Sequence, residues 1–571
     1  VFPFFVINLL MGLTAIQAST FFWVSLLGML AGTVVYVNAG TQLGALTSLS
    51  GILSPSLIGS FILLAAFPWL ARWGLDCVKV RRIQRRWPRS SRPRRFDRNL
   101  VVIGAGAAGL MTSYIAASTR AKVTLIEGRK MGGDCLNFGC IPSKALIRST
   151  AFLRQARHAT ELGIARATID YNFSDVMARV HRIIHTIAPH DSVERYTKLG
   201  VEVIHGNARI TSPWTVEVNG QIMTTCAIVI ATGASPTIPL IPGLERVRYY
   251  TSDTIWSLTE RPEQLVVLGG GPVGCELAQA FARLGCQVTQ VARTGLMGRE
   301  DTDAIALVEA ALRADGVRVL THTGAVRCEH EFSGQRLIVR YEDGTEESLS
   351  FDAILCAVGR TARTEGFGLE ELGIRISPKR TIETDAWLQT LYPNIYACGD
   401  VVGPYQFTHV AGHQGWYASV NALFGVVKRF KVDYSVIPWT TFTSPEVARV
   451  GLSENEAKKR GISCEVTRYG LEELDRAIAD EAAHGFIKVL TVPGKDRILG
   501  VTIVGEHASD LLAEFVLAMK HGLGLNKILG TIHTYPTWSE ANKYVAGNWR
   551  RAHVPYRLLD LAEKYHTWRR G

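Results

Sequence analysis

Two cysteines, Cys135 and Cys140, stand five positions apart in residues 132–144, GGDCLNFGCIPSK. Thiols this close can cycle between a disulfide and two thiols, the chemistry of an electron relay. The glycines beside them let backbone approach a ligand, and Pro142 is suited to the opening turn of a helix, where both cysteines are expected. The competing reading is two unrelated buried thiols, since free cysteine is among the most buried residue types. A relay needs an electron source, so the elements around the pair decide between the two.

Leu100–Ile103 reads as a short buried strand that runs into GAGAAG, with Gly104, Gly106 and Gly109, and then into a helix. Such glycines permit a tight turn and let a pyrophosphate reach the helix N-terminus, where free N–H groups favour an anion. The next strand, VTLIE, ends in Glu127, eighteen residues after Gly109, placed to hydrogen-bond a ribose hydroxyl. This is an adenine-dinucleotide site. The pattern recurs: LVVIGAGAAG is matched by LVVLGGGPVG, with Gly269, Gly271 and Gly274 in register, and VTLIE by VTQVA. Two units predict two dinucleotides. At the second the acid is replaced by Ala292, followed by Arg293, with Arg299 six residues further on. Losing the acid and gaining guanidinium groups suits a 2′-phosphate, which predicts NADPH over NADH.

Between the units, AIVIATGASP is a buried strand ending in a small-residue turn, Ala231, Thr232 and Gly233, suited to packing on a dinucleotide. AILCAVGR, with Gly359 in its turn, closes the second unit. TLYPNIYACGDV follows, and Asp400 at that strand end can bind a ribitol hydroxyl or be a surface carboxylate. From Tyr434 onward alternating strands and amphipathic helices replace this pattern.

With 571 residues the chain exceeds one core, and about three or four domains are expected. The net charge of +11 is concentrated between Arg72 and Arg98, leaving the rest near neutral, which argues against a nucleic-acid partner. No Asp, Glu, Lys, Arg or His occurs from Val1 to Ala71. At about 20 apolar residues per span, this predicts roughly two or three membrane-crossing or re-entrant pieces, with candidates at Phe21–Val37 and Leu57–Trp73. The Arg-rich run then places the remainder in the cytoplasm, with residues 1–75 in contact with membrane lipid. In that compartment the ten cysteines favour a catalytic pair over structural disulfides. The chain begins with Val, so residues are expected to precede it.

GAGAAG, GGDCLNFGCIPSK, ATG, GGGPVG and ACGD occur in the order found in the flavoprotein disulfide reductases, the class I pyridine nucleotide-disulfide oxidoreductases, which the chain resembles over roughly residues 99–547. The resemblance implies FAD at Gly104, Gly106, Gly109, Glu127 and Asp400, with Gly133, Thr232, Gly233 and Gly359 alongside, and a nicotinamide nucleotide at Gly269, Gly271 and Gly274. It implies that Lys144 and Glu276 pair near the flavin ring, that Cys140 faces the flavin and Cys135 meets substrate, and that a C-terminal domain forms a homodimer. VARTGLMGRED and GDCLNFGC are most similar to mercuric reductase. Separately, residues 1–75 resemble part of the DedA, or SNARE-associated Golgi protein, membrane domain.

The expected fold is α/β: a transmembrane α-helical segment (1–75), a basic linker (76–97), and a FAD-binding domain in two parts (98–260 and 361–433). These flank an NAD(P)H-binding domain (261–360), and an α+β dimerisation domain follows (434–571). One departure from the family bears on substrate. Most members carry a catalytic His followed by Pro-Thr, with Glu five residues after the His; this chain reads HTYPTWSE, with Tyr535 at the His position, Glu540 in its usual place and His533 two residues earlier. A phenol with pKa about 10 is a poor base near neutral pH where an imidazole near 6.5 is a good one. Disulfide substrates need that proton; a metal ion between thiolates does not. Mercuric reductase also carries Tyr here, but delivers its metal through a C-terminal cysteine pair, and the last cysteine in this chain is Cys464. The reading is therefore an FAD enzyme passing electrons from NADPH through Cys135 and Cys140 to a thiophilic metal, with no resident metal site. A disulfide or quinone reductase, and a membrane scaffold with a redox-sensor domain, are the alternatives.

Overall fold

Short aliphatic runs without polar interruption form buried parallel strands, and two such sheets dominate the chain. In the first, Arg98–Ile103 lies between Val123–Glu127 and Gln221–Ile230, parallel to both, with Leu100 opposite Val123 and Ala227. Val201–His205 extends this sheet past Val123–Glu127, and Ile395–Ala397 joins it against Gln221–Ile230 from far along the chain. The second sheet has the order Arg318–Thr321, Gln287–Ala292, Gln264–Leu268, Ala353–Cys356, Tyr249–Thr251, all parallel. The central strand of each sheet runs into a glycine turn and then a helix, Ala107–Ser118 in the first and Pro272–Arg283 in the second.

A third sheet is antiparallel, in the order Pro438–Thr441, Glu446–Gly451, Ile498–Gly505, Phe486–Thr491, Glu465–Gly470. Leu512 and Phe515 of helix Ala508–Lys520, and Val545 and Trp549 of helix Glu540–Ala552, share its core.

This computed structural model describes residues 92–571 apart from 332–333, with scattered positions between 33 and 87. Residues Val1–Arg92 and Pro93–Gly571 form separate compact units, and all elements above belong to the second. The expected membrane spans at Phe21–Val37 and Leu57–Trp73 lie largely outside the described residues. The integral-membrane location is corrected by what is described: no described helix is long and apolar enough to cross a membrane. The 18-residue helix Cys140–Arg157 is an example, since it carries four charged side chains, Lys144, Arg148, Arg154 and Arg157. The location and the lipid contact inferred from those spans are therefore withdrawn.

Cys140–Arg157 packs in one core with Pro272–Arg283: Leu146 and Leu153 share a buried cluster with Leu277 and Phe281. Phe173 meets Phe281 with ring centroids 6.4 Å apart. The cysteine helix and the second glycine helix are thus positioned by the same side chains. Phe281 is 0% exposed, so Phe281→Ala should destabilise the unit by about 3–5 kcal/mol. Denaturant unfolding checks this, and an unchanged midpoint would show that the two helices do not depend on a common core.

Candidate redox active site

A cavity of about 1880 Å³ runs through the unit from the first glycine turn to the cysteine helix. Gly104 has φ +104, and a Cβ there would lie 2.4 Å from Ala231 O; one on Gly109 would lie 1.8 Å from Gly104 O. Neither position can carry a side chain. Gly106, by contrast, meets nothing within 4 Å and caps the helix Ala107–Ser118 with no side-chain hydrogen bond, so the first N–H groups of the helix are left to an incoming anion. The second turn repeats the arrangement. Cβ atoms on Gly269 and Gly274 would come within 2.3 Å of Ala357 O and Gly269 O, while Gly271 is open and caps Pro272–Arg283.

Glu127 ends its strand on the cavity wall, and its carboxylate accepts from Ala105 N and Arg129 N, both at 2.6 Å. These bonds fix the carboxylate and leave each oxygen a further lone pair. Thr232, Gly233 and Gly359 line the same cavity, with Thr232 Oγ1 donating to Arg363 O at 2.8 Å. Gly133 packs where a Cβ would meet Gly106 Cα at 2.6 Å, which brings the cysteine segment onto the first glycine turn. Asp400 also lines the cavity, its pKa pushed up to about 6 by burial, with Arg360 working in the opposite direction. Nearby, Asp134 Oδ1, Asp253 Oδ1 and Arg360 Nε are buried without hydrogen-bond partners, although Arg360 Nη2 stands 3.1 Å from Asp134 Oδ1. Open helix N-termini, forced glycines and orphaned polar atoms along one cavity fit an extended dinucleotide.

The cysteines do not share one helix, as the sequence suggests. Cys135 lies in the short helix Gly133–Asn137, and Cys140 is the first residue of Cys140–Arg157. Phe138 and Gly139 leave the helical conformation between them (φ −137 and −109). Pro142 sits in the first turn of the second helix, where its missing N–H costs nothing. Both cysteines are free and line the cavity, and their thiols hydrogen-bond each other. That bond holds the Cys140 thiol well below its ordinary pKa, helped by the Thr408 hydroxyl at 3.5 Å and the charge of Lys144, against burial. Cys135 is driven up, by the same bond and by burial. The proton therefore stays on Cys135 and the thiolate forms at the helix N-terminus, where the dipole favours it.

Lys144 and Glu276 are brought together as the family resemblance implies. Lys144 Nζ is 2.9 Å from Glu276 Oε2 and lies 4.2 Å over the Phe442 ring, while Glu276 Oε1 accepts from Phe442 N at 2.9 Å. Glu276 is only 6% exposed, so this pair is a fixed feature of the cavity wall.

Other expected residues stand elsewhere. Arg299 lines the cavity; Arg293 is exposed but does not. Tyr535 and Glu540 are absent from the cavity of their own chain. Tyr535 is exposed, donates to Asp475 Oδ2 at 3.0 Å and has its pKa raised by that carboxylate; Glu540 is buried and accepts from Tyr544 OH at 3.3 Å. His533 Nε2 lies 3.1 Å from both oxygens of Glu514, so its imidazole is already engaged.

Thr408, His409 and Trp439 escaped the sequence reading. Thr408 opens the helix Thr408–Phe424, and the ring of Phe407 stacks between His409 (5.4 Å, 7°) and Trp439 (6.1 Å, 11°), all on the cavity wall. His409 Nε2 is bonded to Pro438 O at 2.9 Å, and burial lowers its pKa. The signal available was an aromatic run, FTH, a few residues after Asp400.

Residues 98–415 match the family model described as pyridine nucleotide-disulphide oxidoreductase, and 437–546 that of its dimerisation domain. The chain is 34% identical over 447 residues to dihydrolipoyl dehydrogenase of Chlamydia trachomatis, covering 77% of this chain and 94% of that protein. It is 33% identical over 450 residues to mercuric reductase of Lysinibacillus sphaericus, covering 78% and 82%. Among solved structures, the HOCl-induced flavoprotein disulfide reductase RclA of Escherichia coli superposes with TM-score 0.70 at 26% identity, covering 79% of this chain and 99% of that one; its Cu(II) complex does the same. Residues 1–75, where a DedA-like membrane domain was expected, precede the residues that these family models match.

In the reduced protein, alkylation of Cys140 by iodoacetamide should rise with a midpoint below the ordinary thiol value of about 8.5. Lys144→Met and Thr408→Val each remove a group that favours the thiolate, so each should move that midpoint upward, by about one pH unit for Lys144→Met. Mass spectrometry of alkylated peptides across pH checks this; a midpoint unmoved in both variants would contradict the assignment.

Proposed function

Because the chain belongs to the pyridine nucleotide-disulphide oxidoreductase family, we propose that it carries electrons from NADPH through FAD and the Cys135–Cys140 pair to a thiophilic metal ion. The family uses FAD and NAD(P)H, and its dimerisation domain supports a homodimer. Bound FAD supplies the two-electron exchange between nicotinamide and thiols. The observation that carries the choice of acceptor is the setting of the pair: two free cysteines on one cavity wall, with a phenol, Tyr535, where most of the family carries an imidazole.

The chain's own residues divide the work. Gly104, Gly106, Gly109, Glu127 and Asp400 would hold FAD, with Gly133, Thr232, Gly233 and Gly359 closing on it. Gly269, Gly271 and Gly274 would hold the nicotinamide nucleotide, with Arg299 on the cavity wall selecting the 2′-phosphate. Lys144, oriented by Glu276, keeps a cation beside the Cys140 thiolate. Cys135 retains the proton until a metal displaces it, and two sulfurs then ligate the ion. In balance, NADPH and Hg(II) give NADP⁺, one proton and Hg(0). Tyr535, whose pKa is raised further by Asp475, does not serve as a base near neutrality; as a phenol exposed on the dimerisation domain, with Glu540 behind it, it would meet the metal from the partner subunit. The mercuric reductase relative and the Cu(II) complex of RclA agree with a metal acceptor.

A second reading, a planar quinone as acceptor, draws on the stacked His409, Phe407 and Trp439 rings. Steady-state NADPH oxidation separates the two. Hg(II) should support turnover that Cys135→Ser lowers by at least about a hundredfold. Quinone turnover that survives Cys135→Ser, with none on Hg(II), would replace the metal reading.

A further inference from the structure

The turn that carries Arg299 is pinned at both ends. Glu300 N donates to Met297 O at 2.8 Å and closes it, and Met297 N donates to Gly270 O at 2.7 Å, laying the turn on the second glycine loop. Met297 has φ +43, a left-handed conformation that a residue with a side chain keeps only where its surroundings impose it. The surroundings lie in the antiparallel sheet. Glu300 Oε1 accepts from Trp439 Nε1 at 2.9 Å, and Glu300 Oε2 stands 3.2 Å from Arg449 Nε. Arg449 is 0% exposed, lies 4.4 Å over the Trp439 ring and reaches Glu456 at 3.1 Å. One residue on, Asp301 accepts from the N–H groups of Glu454 and Asn455 at 3.1 and 3.0 Å, and Lys488 Nζ is 3.3 Å away.

This construction is a poor way to gain stability. Desolvating a buried ion pair offsets most of its attraction, and here Glu300 Oε2, Arg449 Nε and Arg449 Nη1 make no hydrogen bond. What the cluster does provide is placement. Between the two pinned ends only Gly298 and Arg299 remain, and both line the cavity that Gly271 also lines.

We infer that Glu300, Arg449 and Trp439 are positioning residues that hold Arg299 at the second glycine turn, so that selection of a 2′-phosphorylated nucleotide is set from the antiparallel sheet. The inference rests on the NADPH reading above. It separates the guanidinium that touches the phosphate from the residues that aim it: Glu300, next to it in the chain, and Trp439 and Arg449, 140 and 150 positions further along.

The test is calorimetric titration of the FAD-loaded dimer with NADP⁺ and, separately, NAD⁺. Glu300→Gln alone leaves a buried charge and can fail to fold, so the double variant Glu300→Gln/Arg449→Met and the milder Trp439→Phe are used. The double variant should bind NADP⁺ about tenfold more weakly, with NAD⁺ affinity within about twofold of the starting protein, and Trp439→Phe should shift in the same direction. Equal weakening for both nucleotides, or no change for either, overturns the inference. Arg299→Ala keeps it distinguishable from the premise: if Arg299→Ala loses the NADP⁺ preference and the double variant keeps it, the inference fails alone. If the unaltered protein binds both nucleotides alike, the NADPH reading fails and takes the inference with it.

Discussion

Lys144 and Glu276 belong to different helices, one opened by Cys140 and the other by the second glycine turn, and a 2.9 Å ion pair joins them at the cavity wall. The constraint reaches further than the pair. Glu276 is buried, so its carboxylate needs compensation on both oxygens; Lys144 supplies one side and the amide of Phe442, the residue after the strand Pro438–Thr441 of the third sheet, the other. A single carboxylate therefore ties the cysteine helix, the second dinucleotide unit and the antiparallel sheet together at one point. The same ammonium lowers the cost of a thiolate at Cys140, where the helix dipole already favours one. Moving either helix would leave a buried charge unpaired, which is why the common core around Phe281 matters to chemistry as well as to stability.

The thiols divide their proton unequally because their environments differ. Cys140 sits at the start of an 18-residue helix with the Thr408 hydroxyl and Lys144 nearby, whereas Cys135 lies in a five-residue helix and has Asp134 as its neighbour. An asymmetric pair suits a relay that accepts electrons at one sulfur and meets its acceptor at the other. Tyr535 is held by Asp475 on the exposed face of the dimerisation domain, and in the proposed reading it would take the usual proton exchange away from the output side.

The parts legible in the sequence were those written in local spacing. The glycine turns and the strand-end acid at Glu127 lie within about twenty positions of one another, the same spacing recurs from Leu265, and the glycines have a backbone reason: a Cβ on Gly109 or Gly274 would strike the preceding turn. The Lys144–Glu276 pair spans 132 positions and was reached only through resemblance to a family. Contacts without such a template stayed invisible. Thr408 meets Cys140 across 268 positions, and Glu300 meets Trp439 across 139. The break between the cysteines had a local signal in Gly139, a poor helix former, which the close spacing of the thiols overrode; there Phe138 N and Gly139 N both donate to Asp134 O, at 2.8 and 2.7 Å. The hydrophobic start of the chain invited a membrane reading that no described helix carries.

The central claim is that Cys140 forms its thiolate against the flavin face, with Cys135 left to meet the acceptor. Anaerobic titration of the FAD-loaded dimer with NADPH tests it most directly. The account predicts a long-wavelength absorption band from the Cys140 thiolate beside oxidised flavin after two electrons per subunit; in Cys135→Ser, which cannot form the disulfide, the band should stand before any NADPH is added, and in Cys140→Ser it should be lost. A band that persists in Cys140→Ser, or none at any stage of the titration, would contradict it.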